Sequence, residues 1–182
     1  MPCIAEYGDA FAAHLAESPI GRRVPYLREF AECDWHLGRV AVSVDRPTAG
    51  AEPGAAFSGI PAEAVANTRL VLQAGTHYLR AAWPIDTLIA LFVGDKAPDR
   101  VVIEPGDVHL EIRGSRGAFW LTRLEAADFA FRQGLHAGLT LAEAAERGWG
   151  VNESFEPGRA LAAMWAAGLV TAVTPAPEEG ES

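Results

Sequence analysis

Cysteine is scarce in this sequence, and long hydrophobic runs are missing from it. The 182 residues include two cysteines, Cys3 and Cys33, which is too few for a disulfide framework and is typical of the reducing cytoplasm. No stretch approaches the roughly 18 consecutive apolar residues of a membrane span, and the N-terminus lacks the basic and apolar regions of a secretory signal. We therefore expect a cytoplasmic protein with no membrane partner.

Positive charge is also limited. A single lysine, Lys96, and 14 arginines stand against 24 acidic residues, and the formal net charge is −9. Proteins that bind duplex nucleic acid usually carry a basic patch, because neutralising phosphates supplies most of their affinity. The sequence shows no such patch, so we expect no nucleic-acid partner. The 49% hydrophobic and 21% charged residues indicate a globular protein and exclude full disorder.

Motifs of independent chemistry are missing as well. The sequence contains no GxSxG, HExxH, Walker or Rossmann fingerprint, and its five histidines have no metal-ligand spacing. Cys33 and His36 lie one helical turn apart, but two ligands are too few for a structural zinc site. Cys33 also falls on an apolar stripe, where a thiol packs as a small hydrophobe. We expect no catalytic residue, metal or cofactor in this chain.

Residues 1–50 predict a helical N-terminal region. The first helix, 6–17, carries an apolar residue at every fourth position, namely Tyr7, Phe11 and Leu15. The second helix begins near Pro25, and its apolar positions alternate between spacings of four and three; they are Tyr26, Phe30, Cys33, Leu37, Val40 and Val44. A linker rich in proline and glycine is expected at 51–61.

The segment 62–175 predicts a β-hairpin, three helices and a final strand. Val108, Leu110 and Ile112 alternate with polar residues, which is the period of a half-buried strand. A glycine-containing turn and the returning strand 118–121 complete the hairpin, whereas the apolar run 85–93 fits a helix and a strand equally. Two capping boxes follow: Thr122 with Glu125 and Thr140 with Glu143 predict helices that begin near Arg123 and Leu141. The third helix covers 157–167 and the strand 169–173.

These elements predict an α+β protein. Its helical N-terminal region precedes a winged-helix-like domain over 62–175, and a disordered tail at 176–182 ends the chain. Such a module binds either DNA, through a recognition helix, or a peptide, which adds as a strand to the hairpin edge. The predicted recognition helix offers only Arg159 for reading bases. A transcriptional regulator is therefore the alternative function, and an independent enzyme is a third.

Two segments resemble a bacterial family described as DNA-binding. They are 5–15, AEYGDAFAAHL, and 24–35, VPYLREFAECDW. Further along the chain, Pro84-Ile85, the segment 110–113 and Gly134 with Thr140-Leu141 also fit the family pattern. Members of this family are partner proteins of multinuclear non-heme iron oxidases in methanobactin, 3-thiaglutamate and bufferin pathways. Members usually carry further helices before the Tyr7-Gly8 segment, so we expect a shortened N-terminal region here.

The resemblance implies that the C-terminal domain is similar to peptide-recognition elements, and that two polypeptides act together. The oxidase is a separate TIM-barrel protein that holds the iron, and this chain binds the leader of a ribosomal precursor peptide and presents it. We expect the leader to pair with the hairpin edge and to rest against the helix that begins near Arg123. The candidate peptide-binding residues are Arg113, Phe119, Leu121, Arg123, Leu124, Ala127, Phe131 and Arg132. The arginines, with Arg116, predict a positive face for acidic leader residues, and Trp35 is the candidate anchor for the oxidase.

Overall fold

The computed structural model describes residues 8–41, 56–94, 101–115 and 117–175 and has an α+β fold. Its helices are α1 (Gly8–Glu17), α2 (Leu27–Ala41), α3 (Ile85–Val93), α4 (Ala126–His136), α5 (Leu141–Val151) and α6 (Pro157–Ala166), with a 3₁₀ helix at Ala62–Asn67. Its strands are β1 (Arg69–Leu72), β2 (His77–Ala81), β3 (Val108–Ser115), β4 (Ala118–Leu124) and β5 (Val170–Thr174). The predicted tail at 176–182 lies outside the described residues.

The chain forms two compact units, each built from two separate stretches. The sheet unit contains α1, α2, α3 and the strands β2, β3 and β4, from the segments 1–44 and 75–124. The helical unit contains the 3₁₀ helix, β1, α4, α5, α6 and β5, from 45–74 and 125–182. The sequence predicted a different grouping, with one boundary at 51–61 and with the hairpin and the three helices in one domain. The difference arises because the hairpin shares a core with α2.

The sheet unit is an antiparallel sheet in the order β2-β3-β4. Leu110 of β3 lies opposite Leu79 of β2, and Ile112 lies opposite Leu121 of β4. Alternate residues of a strand face the same side of a sheet, so these residues share one apolar face. That face packs against two helices, through Cys33, Leu37 and Val40 of α2 and Ile85 and Ile89 of α3.

The predicted apolar stripe of α2 is confirmed over the described residues. That of α1 is wrong at Phe11, whereas Leu15 is half-buried. Tyr26 and Phe30 pack on the core that contains the buried residues of α2, and Val44 lies outside the described residues. On α1, Phe11 is 54% exposed and Ala12 is buried, while Tyr7 is not among the described residues. Within the described ranges, no helix has the combination of length and apolarity needed to cross a bilayer.

The helical unit is built around the antiparallel pair β1–β5, in which Leu70 lies opposite Val173. In its core, one side of α4, α5 and α6 packs with this strand pair. The core residues include Leu70, Phe131, Leu135, Ala144, Met164 and Leu169. The 3₁₀ helix ends at Asn67, two residues before β1 begins at Arg69.

One of the two predicted capping boxes is confirmed. The Glu143 backbone N–H donates to Thr140 Oγ1 at 3.3 Å, and the Thr140 N–H donates to Glu143 Oε2 at 2.8 Å, so α5 begins where the sequence predicted. Hydrogen bonds from the Thr140 backbone and hydroxyl lower the pKa of Glu143. The helix start near Arg123 is wrong, because β4 continues to Leu124 and α4 begins at Ala126. Thr122 pairs across the ladder with Glu111, and this long-range pairing outweighs the local capping signal.

Candidate functional site

Strand β4 forms an outer edge of the sheet unit. It pairs with β3 on one side, and on its other side no strand lies against it among the described residues. Phe119, Leu121 and Arg123 lie opposite β3 residues of the core face, so their side chains are on the side of the sheet where α3 packs. A strand edge of seven residues that no other described strand covers is a template for another strand.

An apolar groove runs beside this edge, between β4 and α3. The groove encloses about 630 Å³, a volume within the range of binding sites. Eight residues line it: Asp86, Thr87, Ile89, Ala90, Val93, Gly94, Phe119 and Leu121. Ile85 and Ile89 anchor α3 in the core, which leaves Phe92 and Val93 exposed at 76% and 62%. We call this feature the β4 groove.

An ion pair joins α3 to β4 beside the groove. The Arg123 guanidinium donates to the Asp86 carboxylate twice, with Nε–Oδ2 at 2.9 Å and Nη2–Oδ1 at 2.6 Å. Hydrogen bonding to Asp86 raises the pKa of Arg123. Because the pair is partly exposed to solvent, it adds little stability and mainly orients the two side chains.

Neighbouring carboxylates neutralise most of the arginines of the expected positive face. Arg113 Nε lies 3.7 Å from the buried carboxylate of Glu111, and the Arg113 guanidinium also lies over the Trp120 ring at 5.5 Å. Arg132 Nε lies 3.9 Å from Asp128, and Arg116 falls outside the described residues. The groove therefore favours uncharged, apolar side chains over the acidic ones expected from the sequence.

The predicted peptide-binding residues divide between the two units. Phe119 and Leu121 line the β4 groove, and Arg123 lies beside it. Arg113 and Leu124 belong to the opposite face of the sheet, because Arg113 pairs with Trp120 and Leu124 with His109. The other three candidates lie in the helical unit and are at most 8% exposed: Ala127, Phe131 and Arg132.

The helical wall of the β4 groove was missed by sequence reasoning. It consists of α3, through Ile89, Ala90 and Val93, and not of the helix that follows the hairpin. The available signal was the apolar run 85–93, whose periodicity did not distinguish a helix from a strand. Trp35, the expected partner anchor, is half-buried on α2. Phe92 of α3, next to the lining residue Val93, is the more exposed aromatic residue.

Cys33 lies fully buried in the core of the sheet unit, as its stripe predicted. Burial raises the pKa of its thiol to about 12. The neighbouring His36 ring contacts the His77 ring, with centroids 4.1 Å apart. Across the described ranges, no three histidine, cysteine or acidic side chains are arranged to hold a metal ion.

In a Cys3→Ser variant, we expect the Cys33 thiol not to react with a disulfide reagent at neutral pH while the protein is folded. The thiolate is the reactive form, and burial both suppresses it and blocks access. Absorbance should show no thiol in the native protein and one per chain in denaturant, with a rate that follows unfolding. Stoichiometric reaction of the native protein within seconds would contradict this placement.

Helix α6, the predicted recognition helix, exposes mainly small side chains. Its exposed positions are Gly158, Arg159, Ala162, Ala163 and Ala166. Arg159 is the one cation among them, and its guanidinium lies 3.9 Å from Glu156. Reading bases requires several long polar side chains on such a helix, so α6 adds nothing to the DNA-binding alternative.

Comparison of this chain with protein-family models, with curated proteins and with solved structures finds no match. The resemblance seen in segments 5–15 and 24–35 therefore stays a prediction. What the residues themselves establish is an open strand edge beside an apolar groove, a geometry suited to an extended peptide.

Proposed function

We propose that this chain is a non-catalytic cytoplasmic subunit that binds the leader of a ribosomal precursor peptide in the β4 groove. It would present the peptide to a multinuclear non-heme iron oxidase, a separate TIM-barrel protein that holds the iron. The observation that carries the proposal is the edge of β4, which no strand of the described residues covers, beside a groove lined by Phe119, Leu121 and α3. The choice of oxidase and precursor is supported by the resemblance of segments 5–15 and 24–35.

Backbone pairing supplies the general part of the binding. In an antiparallel ladder, alternate residues direct both their N–H and C=O groups toward the same neighbour. Every second residue of β4 therefore presents two backbone groups at the open edge. An extended peptide satisfies them as a fourth strand, after β2, β3 and β4, and this pairing tolerates many peptide sequences.

Side-chain pockets supply the selectivity. Alternate side chains of an extended peptide lie about 6.6 Å apart on the same face, so two or three of them reach the groove between β4 and α3. The lining includes Ile89, Val93, Phe119 and Leu121, and each apolar side chain buried there contributes about 1.5–3 kcal/mol before the costs of ordering the peptide. The preferred peptide alternates apolar residues with residues of any kind.

A displayed library of random peptides tests the proposal, because the precursor need not be identified before the experiment. We expect enrichment of peptides with apolar residues at alternate positions, and synthetic copies of these should bind the full chain in fluorescence anisotropy. Phe119→Arg should raise the Kd at least about tenfold, because it places a charge in the groove. Ala118→Arg is the matched control, since Ala118 is exposed, precedes Phe119 and lies outside the groove lining, and its Kd should stay within about twofold.

Backbone methylation of the peptide tests the strand pairing without altering the protein. Methylating the N–H groups of one alternate set of residues should abolish binding, and methylating the other set should preserve it. Equal binding by both methylated peptides, or equal Kd values for the two arginine variants, would contradict the β4 groove as the site.

An adjacent oxidase gene and a short cysteine-containing reading frame would support the proposed partners, whereas their absence would favour the regulator alternative.

A further inference from the structure

The helical unit has an apolar groove of its own, between the 3₁₀ helix, α5 and α6. It encloses about 450 Å³, and its lining comes from all three helices, with Phe131 of α4 as a further contributor. Most of the lining is alanine, glycine or aliphatic, and the largest ring is Trp149. We call this feature the Trp149 groove. It is independent of the β4 groove, which lies wholly in the sheet unit.

Trp149 is held in place at the groove and is still accessible. Its indole N–H donates to the Phe155 carbonyl oxygen at 2.9 Å, and the residue remains 45% exposed. The Phe155 ring packs on Phe131 with centroids 5.4 Å apart, and it also occupies the space beside Gly148 where a Cβ would lie. The indole is therefore pre-organised, so a ligand that uses its ring has little conformational entropy to offset.

The charge that lines the Trp149 groove is acidic. The arginines next to lining residues in sequence have other neighbours, since Arg147 lies beside Gly134 of α4 and Arg159 lies 3.9 Å from Glu156. Glu146 lies one helical turn before Trp149 and is the one charged residue among those lining the groove. Glu63 is exposed and neighbours the lining residue Ala62 on the opposite wall. Within the described part of the chain, neither carboxylate takes part in an ion pair. A cation beside Trp149 would therefore meet both an aromatic ring and an unneutralised carboxylate.

The walls also indicate the backbone conformation of the occupant. The three walls of the Trp149 groove are helices, and the interior backbone groups of a helix are bonded within that helix. The groove lining therefore offers no strand edge to an extended chain. A helix satisfies its own backbone groups and needs only side-chain contacts. The lining residues of α5 run from Leu141 to Trp149, a rise of about 12 Å, which matches roughly two turns of a bound helix.

We infer that the Trp149 groove binds a short amphipathic helix of a partner polypeptide, with a lysine or arginine against Trp149 and Glu146. The apolar face of that helix packs on the alanines and Leu161, and the basic residue gains a cation–π contact and an ion pair.

A labelled synthetic helix of leucine and lysine, titrated with the full chain, tests this inference. Two control peptides keep its length: one replaces every lysine by glutamate, and the other scrambles the order to remove the helical period. We expect the leucine–lysine helix to bind at least about tenfold more tightly than either control, because only it offers both an apolar face and cations.

Variants of the protein locate the binding. Gly158 lines the groove, and a Cβ placed there meets no atom within 4 Å. We therefore expect Gly158→Leu to obstruct the groove without displacing the helix backbone. Gly150 is equally open but lies outside the lining, which makes Gly150→Leu the matched control. Gly158→Leu should weaken binding at least about tenfold, and Gly150→Leu less than about twofold. Glu146→Gln should weaken it about threefold to fivefold, and the exposed Glu153→Gln less than about twofold.

Equal affinities for the wild type and Gly158→Leu would overturn the inference, because the net charge of −9 would then be attracting the cationic helix without a site. Equal binding of the leucine–glutamate helix would also overturn the inference. A third contrary result is that the probe fails to bind while the protein self-associates and Gly158→Leu abolishes that self-association, because the occupant of the groove would then be a second copy of this chain. Phe119→Arg should leave the affinity for the leucine–lysine helix unchanged. The experiments therefore distinguish a failure of peptide binding in the β4 groove from a failure of helix binding in the Trp149 groove.

Discussion

Replacing Gly114 by alanine should lower the free energy of unfolding of the sheet unit by about 3 kcal/mol. Gly114 is buried on β3, and a Cβ placed there would lie 2.5 Å from the Val40 carbonyl oxygen and 2.6 Å from Val40 Cβ. The neighbour is helix backbone together with a fully buried side chain, so neither moves easily. Either α2 must shift away from the sheet or β3 must bend, and both open the core.

The matched control is Gly38→Ala on α2. A Cβ at Gly38 meets no atom within 4 Å, and alanine in the middle of a helix is favoured over glycine by about 0.5–1 kcal/mol. Urea unfolding should therefore show one glycine-to-alanine change that destabilises and one that stabilises. Gly114 also lies opposite Phe119 in the ladder, so the loss of stability should be accompanied by weaker peptide binding. A stable Gly114→Ala protein would disprove the close approach of α2 to β3.

Replacing Arg113 by methionine should lower the free energy of unfolding by about 3 kcal/mol, because it removes a cation that lies beside a buried carboxylate. Glu111 is 1% exposed. Its Oε1 lies 3.7 Å from Arg113 Nε, and its Oε2 accepts a hydrogen bond from the Tyr78 hydroxyl at 3.0 Å. Arg113 was a candidate peptide contact from the sequence, and this geometry gives it a structural role on the opposite face of the sheet.

Arg80→Met is the control for the loss of an arginine. Arg80 Nη2 lies only 2.7 Å from Asp107 Oδ2, but the two side chains are 65% and 55% exposed, so the change should cost less than about 1 kcal/mol. The double variant Glu111→Gln with Arg113→Met should recover much of the stability lost in Arg113→Met, since it also removes the buried charge. Equal unfolding midpoints for Arg113→Met and Arg80→Met would refute a buried pair.

The local elements of this protein are encoded in short stretches of sequence. The alternation of Val108, Leu110 and Ile112 predicted β3, and the Thr140–Glu143 capping box predicted the start of α5. Both signals depend on residues within a few positions of one another, because strand period and capping are properties of the local backbone. The exception is instructive: Thr122 and Glu125 have capping-box spacing, yet Thr122 is a strand residue paired with Glu111.

Tertiary structure alone decided the rest. Strand β2 has the sequence HYLRA, in which tyrosine favours strands and alanine is depleted in them. Local preference therefore does not decide its conformation, and it is a strand because it pairs with β3. The run 85–93 is a helix whose anchors, Ile85 and Ile89, share a core with β3.

The β4 groove likewise exists only because α3 packs on the sheet beside β4, although the two elements are more than 20 residues apart in sequence. Periodicity specifies which face of an element is apolar, but it does not specify which other face will cover it. The sequence by itself therefore determined those elements whose period or caps are local, including the β-hairpin. Long-range packing decided the conformation of β2 and of 85–93, and it selected the helix that lies beside β4 and so the residues that form the candidate site.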